Sequence, residues 1–131
     1  MVWSCLVSIL PGMAQTEKLT DYVNPFVGTD GYGNVYPGAQ IPFGGIQISP
    51  DTDSRFYDAA SGYKYNHLTL MGFSLTHLSG TGIPDLGDFL FIPGTGEMKL
   101  EPGTHEDPDQ GYRSRYSHDK EWASPNYYAV E

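Results

Sequence analysis

Apolar positions along this chain come in short runs, and none keeps a helical spacing for more than about a turn. Ile46-Gln47-Ile48-Ser49 alternates apolar with polar, which predicts a strand with one buried face. Leu68, Leu70, Met71, Phe73 and Leu75 form a denser run that reads as a buried strand, with Phe89–Ile92 as its return. Between the two lies Ser79-Gly80-Thr81-Gly82, a turn that calls for glycine-rich backbone. His77 stands at its lip, and Asp85 and Asp88 follow it. Tyr112–His118 alternates aromatic with polar, a half-exposed strand, and Tyr127–Glu131 begins another.

The connecting stretches are turn chemistry. Asp21–Phe26 is a short strand or opening loop, limited by Pro25 to an edge or an end. Gly28–Gly38 is rich in glycine, with Asp30 and Asn34 placed to close Asx-turns. Pro50-Asp51-Thr52-Asp53 ends the alternating strand, Phe56–Tyr65 is an aromatic loop with its corner at Ser61-Gly62, and Pro102–Gln110 is polar and expected on the surface. No repeat and no low-complexity tract interrupts this order. The pattern predicts an all-β fold, an antiparallel β-sandwich. It also reads as incomplete, because no turn or cap follows Val130 and a strand at Tyr127 is expected to lack neighbours.

Composition narrows the class. Charged residues are 18% of 131, too few for long solvated helices, while 16 Gly, 10 Pro and 10 Tyr suit short aromatic strands joined by tight turns. A net charge of -9 argues against nucleic acid or an anionic membrane as partner. The lone Cys5 excludes an internal disulfide and a thiol zinc site. Met1–Ala14 is apolar, too short to span a bilayer, and ends in Gly12-Met13-Ala14. It reads as an export leader cut after Ala14, lacking the usual basic start, followed by a linker over 15–20 and one β-sandwich domain over 21–131. Export implies the periplasm, the cell surface or the medium, and no transmembrane span is expected.

Each candidate for chemistry has a plainer reading beside it. Asp30-Gly31-Tyr32-Gly33-Asn34 hints at a calcium loop, but Ile41 stands where the bidentate glutamate belongs, so an ordinary turn is favoured. The glycines form no dinucleotide fingerprint, since no crossover helix follows them. His77 and Ser79 share a strand face, yet no nucleophile elbow is present. His77 reads either as a ligand-facing donor or as a structural histidine. Asp30, Asp51, Asp53, Asp58, Asp85 and Asp88 are numerous enough for an acid/base pair, but most neighbour Gly, Pro or Ser and read as turn caps. Phe56, Tyr57, Tyr63 and Tyr65 offer either a face for a sugar ring or packing for a small core.

With these segments laid out, an ordered set of motifs resembles a known family. Asn24-Pro25-Phe26-Val27-Gly28-Thr29-Asp30, Tyr36-Pro37-Gly38-Ala39, Pro42-Phe43-Gly44, Gln47 through Thr52, Ser61-Gly62-Tyr63, Gly72-Phe73-Ser74, Thr76 through Gly82, Asp85 and Gly87-Asp88 fall in one order. Together with Ser117-His118-Asp119 and Tyr127–Val130 they resemble the start of bacterial exo-α-mannosidases of glycoside hydrolase family ninety-two. The resemblance runs from about Asp21 to Glu131. It implies an N-terminal β-sandwich packed against a C-terminal helical toroid, with the mannose pocket between them. It also implies inverting release of terminal mannose from glycans, with calcium as cofactor.

In that family the acid, the base and most calcium contacts come from the toroid, so the resemblance implies no catalytic and no metal residue in this chain. It implies one wall of the sugar pocket, with Asp30, Asp51, Tyr57, Asp58, His77, Ser79 and Gly80 as candidate substrate contacts. Tyr57 replaces a usual tryptophan, Ala60 a frequent cysteine, and Tyr32, Lys64 and Leu75 stand where histidines are common. A free-standing carbohydrate-binding module and a structural β-domain are the rival readings. The chain alone is expected to be inactive.

Overall fold

The computed structural model describes residues 17–131 except Ser54 and Phe56. The leader expected over Met1–Ala14, Cys5, and Phe56 of the aromatic loop therefore lie outside the described residues. Among the described residues seven short strands occur in chain order: β1 Ala39–Gln40, β2 Gln47–Asp51, β3 Thr69–Leu70, β4 Gly72–Ser74, β5 Ser114–Arg115, β6 Glu121–Ser124 and β7 Tyr127–Val130. They pair antiparallel in three small sheets, β1-β2-β4, β3-β5 and β6-β7, and none of these closes on itself. Among the described residues the helical elements are single 3₁₀ turns, such as Tyr57–Ala59. The class is all-β, as the pattern predicts.

Several elements differ from the expectation. The apolar run at 68–75 is two strands, because the chain changes sheets at Met71: Leu70 pairs with Ser114, whereas Gly72 pairs with Asp51. Phe89–Ile92 is no strand but a single bridge, Phe73 to Phe91. Leu86 and Phe89 hold left-handed φ of 66° and 55°, which turns the backbone away before a ladder can extend. Only Ser114–Arg115 of the alternating 112–118 stretch pairs as strand, and Pro108, within the loop expected on the surface, is buried. β7 does not lack neighbours: it pairs along its length with β6. The two-residue link Pro125-Asn126 explains the hairpin, since proline sets the first turn angle and Asn126 takes the left-handed second one at φ 66°.

The buried face of β2 is its polar one. Ser49 and Asp51 are buried, while Ile46 and Ile48 are exposed. This inversion extends to the whole interior. Ala59, Ala60, Tyr63, Leu70 and Met71 are the buried hydrophobics among the described residues, and they are outnumbered by buried polar and charged side chains. An interior of that kind holds only if its polar groups find one another.

Three knots do so. In the first, His77 Nδ1 donates to the Gln47 carbonyl (2.7 Å). Its Nε2 lies 3.0 Å from both Asp51 Oδ1 and Ser74 Oγ. Both ring nitrogens thus face oxygen partners, the Gln47 carbonyl on one side and the Asp51 carboxyl with the Ser74 hydroxyl on the other. Gly62, at φ 90°, closes over this pair, and an added Cβ would run into Asp51 Oδ1 and the His77 ring. In the second, Thr52 Oγ1 contacts His67 Nδ1 (3.0 Å) and accepts from the Lys64 amide (2.9 Å). Thr69 Oγ1 contacts His105 Nδ1 (2.7 Å), Arg113 donates to the Thr52 carbonyl, and the two imidazoles lie 4.0 Å apart.

In the third knot, the Glu121 carboxylate accepts from Tyr63 (2.8 Å), Tyr128 and His118 Nδ1 (2.5 Å), tying the β6-β7 hairpin to the centre. Burial above all, with Tyr116 and Glu121 adding to it at Tyr63 and Glu121 at Tyr128, pushes both phenols well above their ordinary range, so they remain donors. His118 is stacked on Tyr65, with ring centroids 4.0 Å apart and planes 6° from parallel.

Two outcomes follow from these knots. Gly62→Ala combines a left-handed φ with a collision in a filled site, and we expect it to cost roughly 2–4 kcal/mol, read as a drop in urea midpoint. The second concerns pH. Burial first, and then the neighbouring His105, lower the His67 pKa from 6.5 to about 4, and burial lowers that of His105 as well. Above pH 6.5 neither the folded nor the unfolded chain protonates His67, so this group adds no pH dependence. As pH falls from 6.5 towards 4 the unfolded chain takes up a proton that the folded one refuses, and stability is lost across that window. Urea midpoints measured over this range should decline in the wild type and flatten in His67→Gln.

Candidate functional site

Three loops meet at one rim. The Gly80 amide donates to the Asn34 carbonyl (2.6 Å), joining the glycine corner to the 28–38 loop. Ser61 Oγ donates to the Val35 carbonyl (3.1 Å), and the Tyr65 amide to the Thr29 carbonyl (2.9 Å), joining the 57–65 loop to the same stretch. Tyr57 completes the contact by lying across Gly82, where an added Cβ would sit 2.5 Å from the phenol ring. Only a residue without a side chain lets the ring rest on backbone there. The loops are anchored from below by the His77 knot, so the rim stands on a fixed base.

The seven residues expected to contact sugar divide by depth. Tyr57 is 63% exposed, Ser79 and Gly80 are exposed, and Asp58 is half-buried. Asp30 is exposed and accepts from the Gly31 amide (2.7 Å), at the lip of a hollow of roughly 370 Å³ shared with Asn24, Phe26 and Tyr65. Asp51 and His77 are buried behind the rim and bonded to each other, and the Tyr36 ring lies over His77 with centroids 4.9 Å apart. Burial pushes the Tyr36 phenol up, with the Ser79 hydroxyl working against that shift. The rim thus presents Asp30, Tyr57, Asp58, Ser79 and Gly80, and Asp51 with His77 supports it.

The carboxylates are occupied. Asp58 pairs with Lys64 Nζ (2.8 Å), and that hydrogen bond holds its carboxyl below the usual range. Asp53 is gripped by Arg55, whose backbone N–H and side chain both donate to it. Asp85 accepts from the Leu86 amide and Asp88 from Thr76. Each of the six aspartates weighed for acid/base work therefore has a structural partner. Among the described residues no group of three or more His, Cys, Asp or Glu is placed to hold a metal ion.

Among the described aromatics of the 57–65 loop, Tyr63 belongs to the interior and Tyr65 stacks on His118, and Tyr57 is the most exposed ring. Tyr32 also stands at the rim, 79% exposed, its ring centroid 6.3 Å from that of Tyr57. An aromatic between two glycines at the tip of a polar turn is the pattern that marks it.

The sequence profile of the glycosyl hydrolase family 92 N-terminal domain matches residues 22–131. The fold is similar to that of the GH92 family glycosyl hydrolase CcMan5, with a TM-score of 0.70 and 35% identity over 86% of this chain and 14% of that one. It is also similar to the family GH92 inverting mannosidase BT2199 from Bacteroides thetaiotaomicron, with a TM-score of 0.64 and 30% identity over 88% of this chain and 15% of that one. A secreted glycosidase of Arthroderma benhamiae is 36% identical over 73 residues, 55% of this chain and 9% of its own length. The chain thus spans about a seventh of the solved relatives and less of the curated one. It belongs to glycosyl hydrolase family 92 and corresponds to that family's N-terminal domain.

Proposed function

We propose that this chain is the N-terminal part of a calcium-dependent, inverting exo-α-mannosidase acting on mannose-containing glycans. In this reading the rim of Asp30, Tyr57, Asp58, Ser79 and Gly80 is one wall of the mannose pocket. The observation that carries it is Tyr57, laid on Gly82 and left largely exposed on a ledge fixed from beneath. A phenol face held that way suits the C–H face of a pyranose, and the Ser79 hydroxyl and Asp58 carboxylate of the same rim suit sugar hydroxyls. The likeness to an inverting mannosidase supports the choice of sugar and of stereochemistry.

Inversion takes an acid and a base on opposite faces of the sugar, far enough apart to admit a water. The aspartates here are committed to turns and ion pairs, so both groups are assigned to a C-terminal helical domain. The described residues hold no group of three His, Cys, Asp or Glu placed for a calcium ion, and its ligands are assigned to the same domain. Phe43, Phe89, Met98 and Leu100, all strongly exposed, are apolar surface for such a domain to cover. Likeness to a secreted glycosidase supports export, to the periplasm, the cell surface or the medium.

The complete enzyme should release mannose with inversion and lose that activity to a calcium chelator, whereas the 131-residue chain alone releases none. In the complete enzyme Tyr57→Ala should lower kcat/KM about tenfold, the loss of one stacking contact. Mannose release by the short chain alone would overturn the single-wall assignment. Sugar affinity that survives chelation, in a protein without hydrolytic activity, would indicate a binding module instead.

A further inference from the structure

We propose that Tyr32 and Tyr57 form a two-ring shelf for adjoining sugar units of an α-linked manno-oligosaccharide, and that Lys64 is the residue that positions Tyr32. The inference rests on the mannosidase reading and concerns what lies beyond the terminal mannose. The two phenol rings are both largely exposed, 6.3 Å apart between centroids and inclined by 56°. Two exposed ring faces at that separation and inclination address successive pyranoses, which are themselves angled about their glycosidic bond. A single sugar on Tyr57 leaves the Tyr32 face unused.

Lys64 explains why a tyrosine at the tip of a glycine turn holds this pose. Its amide is pinned to buried Thr52 Oγ1 (2.9 Å), and its side chain is only 9% exposed. Nζ donates to Asp58 Oδ2 (2.8 Å) and lies 5.9 Å from the centre of the Tyr32 ring. A largely desolvated ammonium facing an aromatic ring attracts it through the ring quadrupole, and Asp58 supplies the balancing charge. One cation thereby couples a rim carboxylate to the outer ring of the shelf. Tyr32 and Lys64 stand in different loops, 32 and 64 along the chain, so the contact depends on the convergence of loops described above.

The test uses the complete enzyme and two substrates: α-mannosyl fluoride, which has no second sugar, and the α-linked mannobiose cleaved fastest. The readout is the ratio of kcat/KM for mannobiose to that for the fluoride. Tyr32→Ala should lower this ratio about tenfold, with the change mainly in KM, and Tyr32→Phe should restore it. Lys64→Met should lower it in the same direction and Lys64→Arg should recover most of it. Because Lys64 acts through Tyr32, the double variant should be no worse than Tyr32→Ala alone. Should Lys64→Met fail to fold, Asp58→Asn, at a half-buried position, is expected to lower the same ratio.

An unchanged ratio in Tyr32→Ala, or full additivity in the double variant, would overturn the inference while leaving the mannosidase reading intact. A wild-type enzyme inert towards both sugars would remove that reading and this inference with it.

Discussion

The rim depends on a hydrogen-bonded pair sealed inside the molecule. Asp51 and His77 face each other at 3.0 Å, and each is at most 5% exposed. Removing either member leaves the other buried without its hydrogen-bond partner. Backbone is recruited around the pair: Gln47 supplies a carbonyl, Ser74 a hydroxyl from the neighbouring strand, and Gly62 a corner with no side chain. Those elements carry the start of β2, the end of β4 and the aromatic loop. Fixing their mutual position brings Tyr57 over Gly82 and Lys64 under Tyr32.

The distribution of side chains fits that arrangement. Polar groups fill the interior and large apolar groups, Phe43 and Phe89 among them, lie outside. In a self-contained small domain this would be a poor use of hydrophobic surface. The two solved relatives are about six times as long as this chain, and in the proposed reading the same faces are suited to contact with a C-terminal domain. The hydrogen-bonded interior then has a separate task, holding loops that carry almost no regular structure.

Much of the architecture was legible because turns are local. The glycine corner at 79–82, the end of β2 within the 50–53 turn and the strand at Tyr127 follow from residues next to one another. The face of β2 was not legible. Alternation says that one side is buried, but hydrogen-bond partners decide which, and those of Asp51 and His77 lie 26 and 30 residues away. β6 was missed although Pro125-Asn126 marks its turn, because Glu121-Trp122-Ala123-Ser124 has only a weak alternation. Tyr32 was noticed as a departure from the family pattern, but not as a neighbour of Tyr57, which requires two loops to be brought together.

The hydrogen-bonded interior also bears on how the molecule responds to temperature. Exposing apolar surface raises the heat capacity on unfolding, and exposing polar surface lowers it. A centre built from Asp51, Thr52, Asp53, His77, Arg113 and Glu121 contributes in the second sense, so this segment's heat-capacity increment per residue falls below that of an oil-filled domain. Its free-energy curve is correspondingly shallow, and the segment gives up little of its cohesion on cooling.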